Sequence, residues 1–204
     1  MKKRALIITL LFMFVAVSTG IASDSMQFRA GHLEYGSDII KLRDGVTIFR
    51  DDITIRAEWG EIYRQRDQAL LEEDVEMTLE EDRITSRKLE VLLEENRYIF
   101  QEEVVFYRQQ ADRDIELRSP YLELNEDDDT FSAREGVEID YGDRRLLAEN
   151  ADYEQETDQL ILTDSVEIED EDDGWIRGKR AVFYLEDEED RFEVEGDVEM
   201  EIEI

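Results

Sequence analysis

The chain has 204 residues, with 24 Lys and Arg against 56 Asp and Glu for a formal net charge of −32, 41% apolar residues and no cysteine. That length suits one domain with a core of its own; the charge argues against nucleic acid as a partner, because binding it requires cations to neutralise phosphates, and the lack of cysteine excludes disulfides, thiolate metal sites and lipoprotein attachment. Disorder, the usual companion of such charge, is excluded by apolar residues that recur in register.

At the start, Lys2, Lys3 and Arg4 precede an apolar stretch over 5–17, interrupted by Thr9 and followed by small and polar residues up to Ser23. This is the order of a secretory signal occupying residues 1–22. The alternative is a retained anchor, because residues 5–22 approach the roughly 20 needed to span a bilayer. Beyond the leader the only lysines are Lys41, Lys88 and Lys179. An acid-rich, lysine-poor surface suits high salt, where the Debye length shrinks to about 3 Å at 1 M.

Residues 24–204 carry one pattern six times. Val46, Val75, Val104, Val137, Val166 and Val198 recur at intervals of 29, 29, 33, 29 and 32 residues, each followed two positions later by Ile48, Met77, Phe106, Ile139, Ile168 or Met200. Apolar residues also lie four and six positions before each valine, which is the period of a strand. Two positions before it stands Asp or Glu in five copies and Gly196 in the sixth, so the strand bends there once per repeat. A second pattern alternates with the first: FRAGHLEY from Phe28, IRAEWGEI from Ile55, ITSRKLEV from Ile84, LRSPYLEL from Leu117, LLAENADY from Leu146 and IRGKRAVF from Ile176. Its small residues (Ala30, Ala57, Ser86, Ser119, Ala148, Gly178) sit three positions before the next inward position, an odd step that shifts the facing parity and marks a second bulge. Polar runs such as RQRDQ, NEDDDT, EQETDQ and GDRR between the patterns read as hairpin turns. The expected fold is all-β, a repetitive antiparallel jellyroll folded over into a trough of about twelve or more strands.

The stretches LLAENADYEQETDQLILTDSVEIED (146–170) and IRGKRAVFYLEDEEDRFEVEGDVEM (176–200) resemble the repeat of the OstA family, the lipopolysaccharide-transport proteins of the LptA and LptC type. The resemblance runs over essentially all of 24–204, with the earlier repeats more degenerate. It implies a jellyroll open along one side that holds lipopolysaccharide acyl chains, with end strands that pair to further jellyrolls in a bridge to the outer membrane. It also implies a periplasmic location if the leader is cleaved, as in the LptA type, or inner-membrane anchoring facing the periplasm if it is kept, as in the LptC type.

On this reading the groove lining comes from Val46, Ile48, Val75, Met77 and Val104 with Phe106, Val137, Ile139, Val166 and Ile168, opposed by Tyr35, Val91, Leu124, Tyr153 and Phe183. A dry packed core would produce the same alternation. The terminal EGDVEMEIEI supplies an edge of Val198, Met200, Ile202 and Ile204 for docking another jellyroll, or a second copy head to tail; the alternative is an ordinary edge blunted by Glu199, Glu201 and Glu203. Lipopolysaccharide or a related amphiphile is the expected partner, although so acidic a chain does not attract an anionic headgroup over long range.

Two other classes remain open: a secreted β-solenoid acting as a structural or adhesive repeat, or one that cleaves polysaccharide. The enzyme would need positioned carboxylates, but 56 acids place pairs everywhere by chance. His32 is the sole histidine and has no evident partner, and no phosphate loop, serine elbow or His-rich motif occurs. Acidic runs at 126–129 and 170–173 lack the spacing of a calcium loop. Neither catalytic residues nor a cofactor or metal site is expected, and the chain reads as a non-enzymatic carrier.

Overall fold

The computed structural model describes residues 26–79, 82–109, 114–154, 156–170, 174–185 and 191–202; the leader and Ile204 lie outside them. The strands are β1 (Gln27–Arg29), β2 (His32–Tyr35), β3 (Ile39–Arg50), β4 (Ile53–Tyr63), β5 (Gln68–Leu79), β6 (Asp82–Leu92), β7 (Arg97–Gln109), β8 (Asp114–Asn125), β9 (Thr130–Arg134), β10 (Val137–Tyr141), β11 (Arg144–Ala148), β12 (Asn150–Glu154), β13 (Gln159–Asp170), β14 (Gly174–Tyr184), β15 (Phe192–Glu195) and β16 (Glu199–Ile202). One 3-10 turn, Leu93–Glu95, interrupts them. All these strands join one sheet, and every pairing among the described residues is antiparallel. That order overturns the β-solenoid alternative, whose coils would pair in parallel.

The sheet folds along a line of corners that the repeat places. Both residues before each column valine have positive φ: Asp44 and Gly45, Glu73 and Asp74, Glu102 and Glu103, Glu135 and Gly136, Asp164 and Ser165, Gly196 and Asp197. Two consecutive left-handed residues turn the chain sharply, and the ladder register breaks at the same points, between Arg43 and Val46, Glu72 and Val75, Gln101 and Val104, and Thr163 and Val166. The returning strands bend opposite. Ala57, Ser86, Ser119, Ala148 and Gly178 each face a column valine across the ladder, where a small side chain lets the two halves close. The Ser86 and Ser119 hydroxyls donate to the Lys88 and Tyr121 carbonyls two residues on, bracing the chain at the bend.

Each long strand therefore contributes one half to a front wall and the other to a back wall. The front wall runs β1-β3-β4-β5-β6-β7-β8-β10-β11-β13-β14-β16 and the back wall β2-β3-β4-β5-β6-β7-β8-β9-β12-β13-β14-β15. The corners form the closed side of the trough, and the hairpin tips form its mouth. Inward-facing residues of both walls make one apolar core, while outward faces carry cross-strand ion pairs such as Arg56–Glu76–Arg83 and Arg97–Glu123. Exposed pairs of this kind are each worth about 0–1 kcal/mol, so burial rather than charge pairing holds the fold.

The walls are not in step. Arg50 on β3 reaches Tyr98 on β7, Phe106 on β7 meets Phe131 on β9, and Tyr141 on β10 meets Phe183 on β14. At these three contacts the front-wall strand faces a back-wall strand two to four places further along. The consequence appears at the ends: the first back-wall strand and the last front-wall strand face nothing. Leu33 and Tyr35 on β2 are 53% and 65% exposed, and Val198, Met200 and Ile202 at β16 are 48%, 55% and 54% exposed.

Candidate functional site

The expected lining residues divide by depth. Val46, Val75, Val104, Val137 and Val166 lie beside the corners, and Ile48, Ile139 and Ile168 one step outward; all are buried in the core, as are Val91 and Phe183. Met77 and Phe106 are also buried, yet they form the floor of a cleft of about 110 Å³ between the two walls at the mouth. Leu124 and Tyr153 line the same cleft, half-buried, whereas Tyr35 stands apart on the exposed β2 edge. Val198, Met200 and Ile202 lie exposed at the opposite edge, where β16 pairs with β14.

The cleft is apolar within and polar at its rim. Ile53, Leu79 and Ile84 complete the front side, and Phe131 stacks on Tyr153 at 5.4 Å with Phe106 6.0 Å away. At the rim Arg108 donates twice to Asp82, at 2.6 Å each, while its guanidinium lies 5.5 Å above the Phe106 ring. The Asp82 carboxylate raises the Arg108 pKa further, so Arg108 stays charged. On the other flank Arg50 donates to the Tyr98 hydroxyl at 3.1 Å, and Tyr98 donates to Glu126 at 3.2 Å. Burial, and then the Glu126 charge, push the Tyr98 phenol up to about 12 against the opposing influence of Arg50; burial and the bond from Tyr153 to Asp158 do the same for Tyr153. Both phenols are neutral donors at any physiological pH.

Sequence reasoning missed Phe131 and the rim groups. Phe131 and Tyr98 occupy the column six positions before the valines, and Arg50 is a charge in an inward column of Val46 and Ile48; those were the available signals. The cleft lining includes no histidine, and among the described residues no group of three or more carboxylates and histidines is placed to hold a metal ion. What the cleft offers chemically is a slot for an alkyl segment beneath a charged rim.

Residues 29–190 match the family described as LptA/(LptD N-terminal domain) LPS transport protein. A search of curated proteins gave no match. Among solved structures, LptH from Pseudomonas aeruginosa, the LptA homologous periplasmic component of the lipopolysaccharide transport device, is similar at 11% identity and a TM-score of 0.35, over 74% of this chain and 95% of that one.

Proposed function

This chain belongs to the LptA/(LptD N-terminal domain) family of LPS transport proteins, and from that premise we propose that it carries lipopolysaccharide acyl chains along the mouth of its trough. It acts without catalysis, in the periplasm, as one segment of a bridge toward the outer membrane. The observation that carries this reading is the cleft bounded by Met77, Phe106, Leu124 and Phe131, an apolar slot that opens between two walls whose inward faces share one core. Burial of each methylene there is worth about 0.8 kcal/mol whatever the charge of the headgroup, so the acidity of the chain does not oppose it. The uncovered edges supply the joints. A second jellyroll, or a second copy, adding strands beyond β16 would place its own back wall over Val198, Met200 and Ile202, and β2 would receive the complementary cover.

The test is photocrosslinking from benzoylphenylalanine placed at Leu124 or Phe131, with Ile99 on the outer face of the back wall as control. Lipopolysaccharide captured from the two mouth positions and not from Ile99 supports the reading; equal capture from all three, or none, overturns it.

A further inference from the structure

Arg50 is the only charged residue buried among the described ones. It continues the inward column of Val46 and Ile48, then crosses the mouth to the back wall. There its guanidinium donates to the Tyr98 hydroxyl at 3.1 Å and to Asn96 Oδ1 at 2.5 Å, and it lies 3.7 Å from Glu126. The strap thus ties the end of β3 to the start of β7 and to the end of β8. Tyr98 and Glu126 also line the cleft, so the width of the cleft follows from how tightly the strap is drawn. In this state the cleft, at about 110 Å³, is far smaller than the roughly 300–1,000 Å³ of a typical ligand pocket. A bulky amphiphile cannot enter unless the walls part.

We propose that Arg50 is the gate of the trough: release of its guanidinium from Tyr98, Asn96 and Glu126 lets the walls separate and admits an acyl chain to the cleft. The inference rests on the lipid-carrying reading and adds its control. Charge-assisted bonds suit this task because they are strong yet exchangeable with water. Glu126 is 39% exposed at the rim, so the freed groups meet solvent and opening strands no charge in the core. An all-apolar seam would instead expose oil on every opening.

The chain lacks cysteine, so nitroxide labels on Asp52→Cys and Glu94→Cys, both exposed on opposite lips, report the width of the mouth by pulsed electron resonance. In the full chain, Arg50→Met is expected to lengthen and broaden the interspin distance. It is also expected to speed uptake of the neutral fluorophore N-phenylnaphthylamine about tenfold, the worth of one charge-assisted bond. Glu126→Gln, which leaves Arg50 in place, is expected to shift both readings the same way and decides the matter if Arg50→Met does not fold. Unchanged distances overturn the gate. So does weaker binding of cis-parinaric acid to Arg50→Met with N-phenylnaphthylamine unaffected, which would make Arg50 an anchor for anions. Longer distances with no probe bound by any form support the gate and count against lipid carriage instead.

Discussion

Tyr98 shows how much one side chain at the mouth carries. It is 2% exposed, packs with the core and holds one end of the Arg50 strap. Its phenol is raised to about 12 from an ordinary value near 10, so the neutral form is favoured by folding. That stability is fully present below pH 10 and drains away as pH rises from about 10 through 12. Tyr98→Phe is therefore expected to flatten the alkaline limb of a stability–pH curve measured by urea unfolding, and to lower stability at neutral pH by about 1–2 kcal/mol through the lost hydrogen bond. Ile139→Ala, by contrast, removes part of a side chain with 1% exposure and should cost about 2–5 kcal/mol at every pH. The sequence alone could not separate lining from core at Ile139, although core is the commoner fate of an inward apolar residue, because both give the same alternation; only the facing wall decides, and no single strand encodes it.

At the scale of the element, the corner is the feature most legible in the sequence. Acid or glycine in a column that alternation reserves for apolar residues cannot be accommodated by a straight strand, and the bend follows. The backbone makes the reason specific: Glu73 has φ of 64° and Asp74 of 50°, a region that costs most L residues about 1–2 kcal/mol and glycine little. Glu73→Gly should accordingly be neutral or stabilising by up to about 1 kcal/mol, although glycine within a strand normally weakens it. The same change at Glu76, mid-strand and paired with Arg56 and Arg83, should destabilise. Thermal unfolding of the two variants checks the reversal of sign. The rim pair Asp82–Arg108 was not legible in this way, since neither residue departs from the ordinary polar pattern of its strand.

For the whole molecule, charge and end geometry set the behaviour. Even if all 24 cations were paired, more than half of the 56 acids would remain without one, so repulsion outweighs attraction. Added sodium chloride is expected to raise the melting temperature by screening; a fall measured by calorimetry would mean that the outer ion pairs dominate. The exposed β16 edge predicts self-association or partner capture, and Met200→Glu should weaken it in sedimentation experiments while leaving the melting temperature within a few degrees. The antiparallel trough itself was readable from six repeats in register. Its wall offset was not, because strand twist and facing angle arise only when the sheet closes.

That offset also determines how finely the trough can be divided. In a stack whose layers touch only their hydrogen-bonded neighbours, each repeat melts nearly alone. Here the front-wall strands β3, β7 and β10 lean on back-wall strands two to four places ahead, so these hairpins are clamped by later ones. Cutting out a single repeat unroofs residues in the next. Fraying from either end must then proceed in blocks longer than one repeat, and a fragment shorter than two repeats has no reason to fold.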